Sequence, residues 1–172
     1  MTRLALLAGN GDRAAFYQFV LTTQPQVWRF CAHLIGPDDA DDVTQDVYLR
    51  AWRGLPRFRG EASARTWLLR IARRAAADQV RRQRRARRGA VAQMTDVADP
   101  GEQITVAAVI GALVSERREA FVLTQVLGLS YAEAAQVCRC PVGTVRSRVA
   151  RARADLIAGL NAGDQQNGTA EN

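Results

Sequence analysis

The stretch SYAEAAQVCRCPVGTVRSRVARARADL, residues 130–156, restricts the fold more than any other part of the chain. Ser130 and Glu133 stand three apart ahead of an apolar run, the spacing of a reciprocal N-terminal capping box, so a helix is expected from Tyr131. It should end near Cys138. Pro141 suits the first position of the next helix, because its missing N–H is not needed there. In that second helix Val142, Val145, Val149, Ala152 and Leu156 step by three and four and form an expected buried stripe. Thr144, Arg148 and Arg151 fall opposite, with Ser147 beside them and Arg146 and Arg153 flanking. A capped short helix, a tight turn and a second helix make a helix-turn-helix. An ordinary surface helix would mix in glutamates, yet no acid lies between Pro141 and Ala154. Arginine, threonine and serine on one face suit the reading of base edges in a major groove.

The rest of the chain has the same helical period, and strand signals are weak. Ala, Leu, Arg and Glu dominate the periodic segments, and Gly and Pro are sparse within them. Hydrophobic residues make up 48% of the chain, enough for a packed core. Two helical blocks emerge. The first has helices over 13–35, which Pro25 is placed to break, 38–54 and 64–88. The second has helices over 104–114, 116–127, 131–138 and 141–160. Between the blocks, GAVAQMTDVADPGEQ (89–103) has no apolar period and reads as a tether. The polar tail 161–172 reads as disordered. The expected fold class is therefore all-α: two small helical bundles, 1–88 and 104–160, joined by a flexible linker.

Charge is concentrated. The 24 basic side chains other than His33 are all arginine, and the formal net charge is +7. From Arg65 to Arg88 ten arginines face one acid, Asp78. Leu68, Ile71, Ala72 and Ala75 should pack inward, leaving Arg70, Arg74, Arg81, Arg85 and Arg88 outside. Such a helix is costly in self-repulsion unless an anion partners it. Nucleic acid fits better than a membrane surface, because the helix lacks a bulky apolar face. The preceding loop holds Phe58 among Arg57, Arg59 and Glu61, and its ring suits either stacking on an unpaired base or core packing. Trp52 and Trp67 read as core residues.

The helix over 38–54 begins with Asp38, Asp39, Asp41 and Asp42. Carboxylates at a helix start serve capping and solubility. Val43, Val47, Tyr48, Ala51 and Trp52 form its apolar stripe, and Asp42, Gln45, Asp46 and Leu49 share another face. An acidic surface with one exposed leucine also suits a docking partner.

Catalysis finds no candidate set: there is no Gly-rich phosphate loop, no nucleophile motif and one histidine. Cys31-x-His33 and Cys138-x-Cys140 lack the usual zinc spacings, so neither metal nor cofactor is expected. The opening apolar run is too short for a signal peptide, and no stretch has the length of a membrane span, so the chain is expected in the cytosol with no membrane insertion.

Taken together, DDADDVTQDVYLRAWRGLPRFRGEASARTWLLRIARRAAADQVRRQRR resembles domain two of extracytoplasmic-function (ECF) sigma factors of RNA polymerase. REAFVLTQVLGLSYAEAAQVCRCPVGTVRSRVARARADL resembles their domain four, and the PVGTVRSR core with its C-x-C turn is most similar to the SigC-like actinobacterial branch. The resemblance implies core RNA polymerase and promoter DNA as partners, with an anti-sigma factor often holding such proteins inactive. It implies polymerase docking through Asp42, Gln45, Asp46 and Leu49. It implies minus-ten recognition and melting through Phe58, Arg59, Gly60, Glu61, Ser63, Arg65, Arg70 and Arg74. Minus-thirty-five recognition would fall to Thr144, Arg146, Ser147, Arg148 and Arg151. One departure stands out: the family's turn usually has glycine where this chain has Arg139, and a positive φ there would strain an arginine. A regulator built on the second block alone, or an RNA-binding adaptor built on the basic helix, each leaves the other block unexplained.

Overall fold

A computed structural model describes residues 1–89 and 106–167, with side chains over 1–86 and 108–160. Its elements are α1 Thr2–Gly9, α2 Arg13–Ile35, α3 Ala40–Gly54, a 3₁₀ turn Leu55–Arg57, α4 Ala64–Gly89, α5 Val106–Ala112, α6 Ser115–Phe121, a π-helical segment Val122–Val126, α7 Tyr131–Cys138 and α8 Val142–Asn167. No strand occurs among the described residues, as the helical period requires. The tether over 89–103 falls almost wholly outside the described residues, and so do 168–172.

In the first block α2, α3 and α4 pack around one another. Phe19, Val27 and Phe30 of α2 are buried with Val43, Val47 and Ala51 of α3 and Leu68, Leu69, Ala72 and Ala75 of α4. Asp12 caps α2, its Oδ1 accepting from the Ala15 amide at 2.9 Å. Pro25 does not break that helix. Its missing N–H removes the i+4 donor for the Leu21 carbonyl, on an exposed turn that water can reach. One turn earlier, Thr22 and Thr23 donate to the carbonyls of Gln18 and Phe19, both at 2.7 Å. The N-terminal helix α1 was not expected. Its apolar run buries Ala5 and Ala8, and it can lie close because Gly9 has no Cβ; a Cβ there would stand 2.5 Å from the Leu55 carbonyl oxygen.

In the second block the capping box is present: the Ser130 hydroxyl accepts from the Glu133 amide at 3.2 Å, and the Glu133 carboxylate accepts from the Ser130 amide at 2.9 Å. Several details differ from the sequence expectation. The helix placed over 116–127 is α-helical only to Phe121, after which the Leu127 amide reaches the Val122 carbonyl at 2.9 Å in a π turn. Pro141 precedes α8 instead of occupying its first position, and its carbonyl accepts from Thr144 and Val145. In α8, Val145, Val149 and Ala152 are buried as expected, but Val142 is 36% exposed. The helix also runs to Asn167, past Leu160, so the first residues assigned to a disordered tail are helical.

The two bundles are not separate in space. Helix α4 packs along α7, and buried residues of both blocks join in one core. Arginines hold the seam. The Arg65 guanidinium donates to the Leu127 carbonyl, Arg118 donates to the Leu34 carbonyl at 3.4 Å, and Arg73 pairs with Glu119 at 2.5 Å.

Candidate docking and nucleic-acid surfaces

A groove of about 880 Å³ opens between α2 and α3. Phe16, Tyr17 and Val20 line it from α2, and Tyr48, Leu49 and Trp52 from α3, with Asp41, Asp42 and Gln45 adding polar atoms. Its apolar side chains are unusually open to water: Tyr17 is 62% exposed, Leu49 54% and Trp52 41%. Trp52 is therefore not a core residue; its ring rests on Phe16 with centroids 4.6 Å apart. Asp42, Gln45 and Leu49 face solvent together, as the spacing implied. Asp46 does not share that freedom. It pairs with Arg50 at 2.7 Å, and Arg50 pairs with Asp78 of α4 at 2.7 Å, so Asp46 also ties α3 to α4. The α2 half of the groove was missed in the sequence, because α2 is apolar nearly all round. The available signal was an excess of large apolar residues, Tyr17 and Leu21 among them, over what one buried stripe needs.

The loop before α4 encloses a smaller pocket of about 340 Å³, lined by Arg57, Phe58, Arg59, Gly60, Glu61, Ala62, Trp67 and Arg70. Gly60 has φ +75°, a conformation L side chains rarely adopt. Phe58 is 9% exposed and its ring packs on Trp67 with centroids 5.1 Å apart, so of its two expected roles it takes core packing. Ser63 begins α4 by accepting from the Thr66 amide at 3.1 Å, a structural cap. Arg65 is turned inward to Gln26 at 2.7 Å and to Leu127. Arg59, Glu61 and Arg74 are exposed, and Arg70 is half-buried at the pocket's edge. Of the eight residues connected with minus-ten recognition, the structure thus brings Phe58, Arg59, Gly60, Glu61 and Arg70 around one pocket, with Phe58 also packed on Trp67, leaves Arg74 exposed on α4, and gives Ser63 and Arg65 structural tasks.

On α8, Arg146, Ser147 and Arg151 are exposed and Thr144 and Arg148 are half-buried. The Ser147 hydroxyl donates to the Thr144 carbonyl at 3.0 Å, and one Arg148 nitrogen lies 3.9 Å from the Cys140 sulfur. Arg153 donates to Gln125 at 2.7 Å and so braces α8 on the π segment. The turn before α8 carries the anticipated strain: Arg139 has φ 55° and ψ 48°, left-handed backbone where glycine fits best.

No group of three metal-ligating side chains occurs among the described residues. Cys31 is buried, which pushes its thiol up to about 11, and burial pushes Cys138 up to about 12. Both thiols are therefore held protonated. No helix of the described residues is long and apolar enough to cross a membrane.

An arginine-lined helix, an open apolar groove and a helix-turn-helix on one chain define a polymerase promoter-recognition subunit, and the comparisons give the same class. Residues 19–86 match the family model of Sigma-70 region 2, and residues 104–156 that of Sigma-70 region 4. The chain belongs to the sigma-70 family, in its ECF branch, whose members direct RNA polymerase to promoters. It is 48% identical over 166 residues to the ECF RNA polymerase sigma factor SigC of Mycobacterium tuberculosis, covering 92% of this chain and 90% of that one. It is 34% identical to the RNA polymerase sigma-H factor of Pseudomonas aeruginosa, covering 84% and 85%. Among solved structures it is similar to CnrH in complex with the cytosolic domain of CnrY (TM-score 0.73, 32% identity, 94% and 97% covered). It is also similar to the sigma factor RpoE in complex with the anti-sigma factor NepR from Bartonella quintana (TM-score 0.72, 28% identity, 85% and 96% covered).

Proposed function

We propose that three surfaces divide the work of this sigma factor. The α2–α3 groove docks core RNA polymerase, with Leu49 as the apolar anchor and Asp42, Gln45 and Asp46 setting orientation. The pocket over Arg59, Gly60, Glu61 and Arg70 receives a base extruded from the minus-ten element, and Arg74 holds a phosphate beside it. The exposed face of α8 reads the minus-thirty-five element through Thr144, Arg146, Ser147, Arg148 and Arg151. Opening DNA costs a few kcal/mol per unstacked step, and a pocket that holds the extruded base offsets part of it. The protein works by binding and positioning, in the cytosol, and an anti-sigma partner covering the α2–α3 groove would keep it from polymerase.

The observation that carries this reading is the open apolar groove, in a block whose other long helix is basic. A DNA-binding regulator without a polymerase partner has no use for Leu49 and Tyr17 in water. Run-off transcription with purified core polymerase tests it. The protein should direct specific initiation, and Leu49→Glu should abolish it while leaving thermal stability unchanged. Arg148→Ala should cost roughly 1–3 kcal/mol at one minus-thirty-five base pair and little elsewhere. Tight duplex binding with no stimulation of core polymerase would refute the assignment.

A further inference from the structure

Helix α1 adds little to the core, yet it meets the loop before α4 at three points. Ala5 and Ala8 are buried and Leu4 packs partly against the core, while Leu6 is 40% exposed and Leu7 39%. Two buried alanines stabilise a fold only weakly. The first contact is at the approach to the loop, where a Cβ on Gly9 would stand 2.5 Å from the Leu55 carbonyl oxygen of the 3₁₀ turn. The second is at its middle. A Cβ on Gly60 would stand 3.8 Å from Thr2 Cγ2 and 3.9 Å from both Leu6 Cδ atoms, so α1 covers the loop where its backbone is left-handed. The third is at its end: the Ala64 amide donates to Thr2 Oγ1 at 3.3 Å. Ala64 opens α4, where the first amides have no partner inside the helix. Ser63 takes the Thr66 amide, and Thr2 takes that of Ala64 from 62 residues away.

The loop needs such support. Phe58 anchors its start on Trp67, but Arg59, Gly60, Glu61 and Ala62 make no hydrogen bond among the described residues. Glycine at position 60 adds backbone freedom that the loop itself does not restrain. These four residues line one side of the pocket, and Trp67 and Arg70 of α4 line another. A site discriminates between ligands when its walls are held to within about 0.5 Å by the residues behind them. We propose that Thr2 and Leu6 are positioning residues for minus-ten recognition: they hold the loop in the shape that receives the extruded base, and so set which base is accepted. The proposal rests on the role given above to the pocket. Neither side chain meets DNA; each acts through the loop, Leu6 by covering Gly60 and Thr2 by covering Gly60 with its methyl and capping α4 with its hydroxyl.

The test uses the full chain. Loop motion is read by hydrogen exchange, and base preference by run-off transcription with core polymerase on promoters altered at each minus-ten and minus-thirty-five position. Leu6→Ala and Thr2→Val should each speed amide exchange over 59–64 and narrow the discrimination between bases at one minus-ten position, both by roughly fivefold, as the loss of one hydrogen bond or one packed contact would. Discrimination at the minus-thirty-five element and affinity for core polymerase should not change. Thr2→Ser keeps the hydroxyl and should hold exchange at Ala64 near that of the parent. Leu7→Ala, an equal truncation on the same helix, should match the parent in both readouts. The proposal is overturned if Leu6→Ala and Thr2→Val leave loop exchange or minus-ten preference as in the parent. It is also overturned if preferences at both promoter elements fall together, or if Leu7→Ala acts like Leu6→Ala, because α1 then serves folding alone. Glu61→Ala, in the pocket, separates the two readings. If it changes minus-ten preference and neither α1 variant does, only the role of α1 fails; if it changes nothing, the pocket assignment fails and takes this proposal with it.

Discussion

Removing the Arg73 guanidinium should loosen the seam between the bundles by an amount the structure allows to be worked out. Its N–O distance to Glu119 is 2.5 Å, with Glu119 9% exposed and Arg73 33% exposed. At an effective dielectric of ~20, a pair 4 Å apart gains about 4 kcal/mol before desolvation. Arg73 is partly screened by water, which brings the contribution down toward the ~1.5–3 kcal/mol of a charge-assisted hydrogen bond. Taking about 2 kcal/mol, Arg73→Ala shifts the closed-to-open ratio by roughly 30-fold, since each 1.4 kcal/mol is tenfold. The direction is toward opening, because the orphaned Glu119 carboxylate regains water only when α4 moves away. The assay is a double-mutant cycle with Glu119→Gln, read by the transfer efficiency between dyes on α3 and α8 across a urea series. A coupling energy of about 2 kcal/mol is expected. A coupling below about 0.5 kcal/mol, the level seen for independent sites, would refute the reasoning and leave Arg65 and Arg118 as the seam's main ties.

Two further outcomes follow from individual side chains. The Asp78 carboxyl is held below its ordinary pKa of 3.8, first by the hydrogen bond from Arg50, against the opposing effect of desolvation and with further help from the Arg81 hydrogen bond. A depressed folded-state pKa stabilises above the unfolded value and loses that contribution as pH falls through the folded one. Asp78→Asn should therefore lower the unfolding free energy at pH 7, by no more than about 1 kcal/mol for so open a pair, and the difference should shrink as pH falls below the ordinary carboxylate range; a difference that does not shrink in acid would exclude the ion pair as its source. Ser130→Ala removes one half of the capping box on α7 and should cost about 1 kcal/mol, or roughly 2–4 °C in melting temperature for a chain of this size. An unchanged melting curve would show that packing of Ala134, Ala135 and Val137 alone holds α7.

Much of this protein is determined by sequence terms that act over a few residues. The Ser130–Glu133 box set the start of α7, Gly36 ended α2, and the valine spacing set which face of α8 is buried, because each depends on contacts within one or two helical turns. The strain at Arg139 was legible through the family resemblance, whose turn usually has glycine there. Tertiary structure decided the rest. Phe58, Ser63 and Arg65 resemble their exposed neighbours in the sequence, and only the packing of Trp67, the start of α4 and the approach of Leu127 give them internal tasks. Helix α1 was invisible because, unlike the equally short α7, it has no side-chain cap to announce it, and it can lie close through a backbone approach at Gly9 that no local pattern encodes. The seam between the bundles was likewise beyond periodicity. It is built from arginines pairing with a buried glutamate and with backbone carbonyls 46 to 84 residues away, and arginines at those positions read the same whether they face DNA, water or another domain.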